Sequence, residues 1–173
     1  MRIAIDARKL RDYGIGTYVR NLLRQVGRHD ATNEYVVLCR EQDCDTVEEF
    51  GPRLRAVAQG AGPYSLAEQF AVPMVLRREG VDLFHAPHYV LPPLTPCRSV
   101  VTIHDCIHLR FPQYLPSKLG HAYAWGQMWS ATHRAARVMT VSEASKRDIL
   151  RYFRIPERQI DVIYNAIDDR FWG

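Results

Sequence analysis

The chain has 173 residues, 47% of them hydrophobic and 24% charged, with a formal net charge of +4. That size and composition support one globular core and exclude fibrous and disordered classes. No apolar run approaches the ~18 residues a spanning helix needs, Met1 to Asp6 is too short and too soon acidic for a secretory leader, and the scattered basic residues carry no aromatic RNA-binding signature, so a cytoplasmic protein without a nucleic-acid partner is expected.

The first strand is predicted at Arg2–Asp6. After it, Ala7-Arg-Lys-Leu-Arg-Asp-Tyr-Gly14-Ile-Gly16 opens a helix whose apolar side is Val19, Leu22, Leu23 and Val26. Two glycines at a helix mouth let a phosphate reach backbone N–H groups unobstructed. A tight turn is the plain alternative, because the third glycine of a dinucleotide fingerprint and the Lys of a P-loop are both missing. Further strands are predicted at Glu34–Cys39, Leu54–Ala58 and Asp82–His85, the last running into Ala86-Pro-His88-Tyr89.

Strand Ser99–Ile103 leads directly into His104-Asp105. The following helix carries Leu119, Tyr123, Trp125, Met128 and Trp129, a stripe expected to pack as core against the sheet, with sugar stacking or a membrane interface as the alternatives. Strand Val138–Val141 then meets Ser142, a good N-cap, and Glu143, whose charge suits the helix dipole. Ile149, Leu150 and Phe153 form that helix's apolar face before a last strand at Gln159–Ile163. Alternating strands and helices, with several continuous apolar runs, imply an α/β fold: a Rossmann-like, doubly wound, mainly parallel sheet with helices on both faces.

Polar residues just past strands collect at the edge where ligands bind. His104 can hydrogen-bond a sugar hydroxyl, and Asp105 can orient a ring or accept a proton. His85, His88 and His104 come from separate strand ends without Cys or Glu at ligand spacing, so no metal is expected. Cys39, Cys44, Cys97 and Cys106 lack CxxC spacing and are expected as reduced thiols.

Taken in order, Gly14-Ile-Gly16, His85-Ala-Pro-His88, Thr102-Ile-His104-Asp105 and Val141-Ser142 through Ile155-Pro-Glu-Arg-Gln159 to Asn165-Ala-Ile-Asp168 resemble the N-terminal half of retaining, nucleotide-sugar-dependent glycosyltransferases of family 4. The resemblance implies one half of a GT-B fold, with residues 1–165 as the acceptor-side domain, 166–173 as the start of a linker, and the donor-binding domain absent. It implies transfer of a hexose, mannose or glucose, from a nucleotide-sugar such as GDP-mannose or UDP-glucose to a glycan or lipid-linked acceptor, with no metal cofactor. Cell-surface polysaccharide or glycolipid synthesis and peripheral contact with the inner membrane face fit such an enzyme. By the same resemblance His104 and Asp105 are catalytic, Gly14, Gly16 and His104 face the donor, and His85, His88 and Tyr89 lie on the acceptor side. The family's paired-glutamate motif is missing, and Ala166 stands where a glycine is usual. A stand-alone module binding a nucleotide or sugar phosphate is the rival reading; a Rossmann oxidoreductase or epimerase is disfavoured because the GxGxxG loop and a tyrosine-lysine pair are absent.

Overall fold

The computed structural model of the chain describes residues 1–62, 65–111, 113 and 118–166. Seven strands form one sheet: β1 (Arg2–Asp6), β2 (Glu34–Cys39), β3 (Leu54–Ala58), β4 (Leu83–Ala86), β5 (Arg98–Thr102), β6 (Arg137–Thr140) and β7 (Ile160–Val162). They lie in the order β3-β2-β1-β4-β5-β6-β7, and every neighbouring pair is parallel. All seven predicted strands are present, with the ends of the last four moved by one residue. At the carboxyl ends the ladder outlasts the strand: Ile103 N–H still donates to Met139 O at 2.9 Å, and Ile163 N–H to Thr140 O at 2.8 Å.

Among the described residues, six α-helices lie between the strands: α1 (Ile15–His29), α2 (Cys44–Glu48), α3 (Glu68–Arg78), α4 (Ile107–Arg110), α5 (Lys118–Arg134) and α6 (Glu143–Phe153). Strand residues alternate between two cores. Tyr35, Val37 and Cys39 of β2 join Ile5 of β1 beneath Val19 and Leu23 of α1 and Val47 of α2. Val36 and Leu38 of β2 face the other way, with Phe84, Val101 and Val138 against Val72 and Leu76 of α3, Met128 of α5, and Ile149 and Phe153 of α6. That two-sided burial is why β2 reads as a continuous apolar run.

The face under α1 is only half covered. Right-handed crossovers from β1 to β2 to β3 place helices there, whereas those travelling from β4 to β7 place theirs opposite. Over β4 to β6 a floor of Leu83, His85, Val100 and Met139 is walled by α1 and by Ile163–Ala166, leaving a cavity of about 760 Å³.

The aromatic stripe of α5 does not pack as expected. Met128 is buried together with Ala124 and Ala131, but Tyr123, Trp125 and Trp129 are exposed at 37%, 45% and 44%. Small residues on the inner side bring the helix close to the sheet and leave no room for indole rings. Trp129 instead stacks on His133, with ring centroids 4.4 Å apart, and lies 6.5 Å from Trp125. Leu119 belongs to the same stripe, but its side chain lies outside the described residues, as do Pro63, the stretch 114–117 and residues 167–173, where the linker is expected.

Helix α6 is capped as its sequence predicts. Ser142 Oγ accepts from Ser145 N–H at 3.0 Å, and Glu143 sits in the first turn. Its far end is less regular: Arg154 holds φ of 51°, a left-handed position that favours glycine, and donates its N–H to Leu150 O.

Candidate functional site

The strand order reverses between β1 and β4, so the chain leaves their carboxyl ends in opposite directions and opens a crevice there. Gly14 caps α1 at this crevice with φ of 66°, and nothing lies within 4 Å of where its side chain would be. Gly16 is held by packing: an added Cβ would stand 2.5 Å from Leu10 O. Gly16→Ala is therefore expected to lower stability by about 1–3 kcal/mol, as overpacking does, measured as a lowered urea midpoint. A midpoint equal to wild type would mean the 7–14 loop yields freely.

Beneath the loop lies a buried charge network. Arg8 donates through Nε to Asp6 Oδ1 at 2.9 Å, and through Nη2 to Asp6 Oδ2 at 2.6 Å and Glu68 Oε1 at 2.5 Å. Its Nη1 donates to Ala61 O at 3.1 Å. Asp6, Arg8, Glu68 and His88 are all under 4% exposed. Val90 N–H donates to His88 Nδ1 at 3.2 Å, which puts the proton of a neutral ring on Nε2, facing Asp6 Oδ2 at 3.3 Å. Burial alone would raise the Asp6 pKa, but the charge and hydrogen bonds of Arg8, aided by His88, hold it well below the usual carboxylate range. Asp6, Glu68 and His88 offer three ligand atoms within 4.8 Å of one another. The guanidinium of Arg8 already supplies the positive charge among them.

One strand further along, His104 is fixed from several sides. Its Nε2 lies 3.0 Å from Pro87 O, so Nε2 carries the proton and Nδ1 of the neutral ring is an acceptor. The Tyr18 ring of α1 meets the imidazole edge-on, centroids 4.9 Å apart and planes at 85°. The backbone is held too: Ser145 Oγ donates to His104 O at 2.8 Å and Thr140 Oγ1 to Ile103 O at 2.7 Å. Desolvation lowers the pKa of His104 against the opposing pull of Pro87 O and Asp105, which keeps the ring neutral near pH 7. Asp105 is exposed and its Oδ1 accepts from Ile107 N–H at 3.0 Å, giving it a structural task at the start of α4.

The expected site residues thus divide. Gly14 and the segment His104-Asp105 border the carboxyl edge. His88 is enclosed in the Arg8 network, and Tyr89 packs on the core with its ring 6.4 Å from that of His108. His85 points to the other side of β4, where it floors the cavity and bonds Thr102 Oγ1 through Nε2 at 2.8 Å. Sequence reading missed Asp6, Arg8, Glu68 and Tyr18. For Asp6 and Arg8 there was a signal, since charges directly after an apolar strand fall at the ligand edge. Glu68 gave none, because only the β3 to α3 connection brings it there.

Burial, with smaller contributions from His104 and His88, lowers the His85 pKa from 6.5 to about 4. A lowered folded pKa means the unfolded chain takes up the proton first as pH falls. Stability is therefore full above pH 6.5 and is lost between 6.5 and about 4, by about 3 kcal/mol from this group. Urea midpoints of wild type should fall across that window more steeply than those of His85→Gln; parallel profiles would count against the assignment. Cys39 and Cys106 are pushed by burial up to about 12, so they stay as thiols, with Cys39 Sγ 3.5 Å from Cys44 Sγ.

A doubly wound parallel sheet with a glycine-started helix and a histidine at the end of its next strand is a Rossmann-like domain. The chain belongs to Glycosyltransferase Family 4, whose family model matches residues 13–171. Similar solved structures include HepE of Anabaena in complex with UDP and glucose, at TM-score 0.64 and 16% identity, covering 99% of this chain and 46% of that one. The lipopolysaccharide outer core galactosyltransferase WaaB is similar at TM-score 0.60 and 14% identity, covering 96% and 46%. UDP-GlcNAc 2-epimerase of Neisseria meningitidis bound to UDP-GlcNAc is similar at TM-score 0.56 and 15% identity, covering 94% and 46%. The fold is the GT-B half-fold that an epimerase also uses, so architecture alone does not set the reaction. No curated protein matches by sequence. The chain spans under half the length of these solved relatives.

Proposed function

We propose that this chain is the acceptor-side half of a retaining transferase that moves a hexosyl group, mannosyl or glucosyl, from a nucleotide-sugar such as GDP-mannose or UDP-glucose to a glycan or lipid-linked acceptor. The observation that carries the reading is the meeting of α1 and His104 across the switch point in a family 4 chain. The neutral His104 accepts a hydroxyl of the transferring sugar at Nδ1, while Gly14 keeps the entrance to α1 clear of side chains. The negative charge that builds on the departing diphosphate needs positive groups, and Arg8 is already committed to two carboxylates. Those groups come from a second domain, residues 1–165 forming this one and 166–173 starting the link. The isolated chain is then inactive, and no metal is needed from it.

A lipid-linked acceptor and work in polysaccharide or glycolipid synthesis place the enzyme in the cytoplasm against the inner membrane face. No helix among the described residues is long and apolar enough to cross a membrane. Leu66 just before α3, and Phe70 and Met74 within it, at four-residue spacing and 83%, 62% and 71% exposed, support surface contact, with Arg77 at the end of the same helix. Co-sedimentation with anionic vesicles should drop in Phe70→Ser/Met74→Ser.

The deciding test is calorimetry of this chain with GDP-mannose, UDP-glucose and the free nucleotides, beside transfer assays of the full-length enzyme. Weak binding by the chain and transfer by the whole enzyme are expected. Tight, His104-dependent binding by the chain alone would replace this reading with the self-sufficient binding module.

A further inference from the structure

We propose that Tyr18 is a positioning residue for His104: its ring, standing edge-on to the imidazole, sets the plane of the ring whose Nδ1 receives the donor sugar. The proposal rests on the functional reading above. Two contacts fix the imidazole plane, the Nε2 bond to Pro87 O at 3.0 Å and the Tyr18 ring at 4.9 Å between centroids. A single hydrogen bond leaves a ring free to swing about it. A perpendicular aromatic wall removes that freedom.

Tyr18 is itself held. Its hydroxyl lies 3.3 Å from Thr102 Oγ1, which is 2.8 Å from His85 Nε2. With His85 neutral, a proton order of Tyr18 O–H to Thr102 O–H to His85 Nε2 satisfies every member; the opposite tautomer of His85 reverses it. The chain joins α1, β5 and β4 two residues before His104. Tyr18 follows Gly16 by two residues, so the close approach of the first turn of α1 to Leu10 O also delivers this ring. The glycine turn thereby acts on His104 as well as on the space in front of it.

NMR of the side chains tests the contact directly. In wild type, nuclear Overhauser effects between the Tyr18 ring protons and the carbon-bound ring protons of His104 are expected; their absence overturns the proposal whatever the variants do. Tyr18→Phe keeps the ring and removes the hydroxyl, so His85 resonances should move while those of His104 stay. Tyr18→Leu should move both, and should raise the His104 pKa toward the ~6.5 of a free imidazole as the ring becomes more solvated. The groups facing that titration are Asp105, His88 and His85, and they are unchanged in both variants. A Tyr18→Leu protein with a native methyl spectrum and unshifted His104 would sink the proposal.

Transfer by the full-length enzyme separates the proposal from the reading beneath it. Tyr18→Leu is expected to lower kcat by roughly 10- to 100-fold, the scale of a small misplacement, with Tyr18→Phe near wild type. A loss in His104→Ala with none in Tyr18→Leu would overturn the positioning role alone. No loss in either would overturn the functional reading with it.

Discussion

Replacing Arg8 by methionine is expected to destabilise the chain by about 3–5 kcal/mol, the cost of breaking a buried ion pair from one side. Methionine approximates the arginine stem in volume, so the loss is electrostatic in origin. Arg8 is 2% exposed, and it is the cation that Asp6 and Glu68 share. With Arg8 in place a guanidinium stands between the two carboxylates; without it, carboxylates at 1% and 0% exposure face each other undiluted by water. One of them must then be protonated or the carboxyl edge must open. Urea denaturation checks the magnitude, and Arg8→Met/Glu68→Gln should recover part of it by removing one of the stranded charges. A wild-type midpoint for Arg8→Met would show that water enters the network freely. Acid gives an independent view of the same pair. Because the Asp6 pKa is depressed on folding, its contribution is complete above the unfolded value of about 4 and is lost as pH falls below it.

The network also marks how far the sequence could be read. Strands announced themselves because those covered on both faces need uninterrupted apolar runs, and Glu34–Cys39 is such a run. The cap at Ser142 and the glycine turn at Gly14 are local features, fixed by hydrogen bonds and dihedral angles within a few residues. Glu68 and Tyr18 are different: each owes its place to a crossover that brings distant residues together. Periodicity misled at α5, where Ala124, Met128 and Ala131 take the inner side and the larger rings turn outward. A helix with apolar residues on every side has no face that sequence alone can choose. His104 and Asp105 both read as catalytic from the resemblance, His104 the more strongly, and the structure clamps His104 in the crevice while Asp105 starts α4.

Replacing His104 by alanine is expected to leave the fold nearly unchanged and to lower transfer by roughly 100- to 1,000-fold, the scale for one preorganised polar group at a reacting centre. Among the described residues its side chain makes one hydrogen bond, to Pro87 O, and one ring contact, to Tyr18. Losing such a bond costs about 1 kcal/mol of stability, while the catalytic figure corresponds to about 2.7–4 kcal/mol; activity should therefore fall far more than the urea midpoint. If the interaction strengthens only as the sugar carbon gains positive charge, kcat falls with little change in the donor KM. A rise in KM at constant kcat would limit His104 to ground-state binding. The pH profile adds a sign: the neutral ring is the working form and burial lowers its pKa, so wild-type rate should hold through pH 7 and decline only below the ~6.5 of an ordinary imidazole. His104→Gln, which keeps an amide N–H for Pro87 O and an acceptor for the sugar, should recover part of the loss. Full activity in His104→Ala would remove the sugar from this crevice and with it the case for Gly14 and Tyr18.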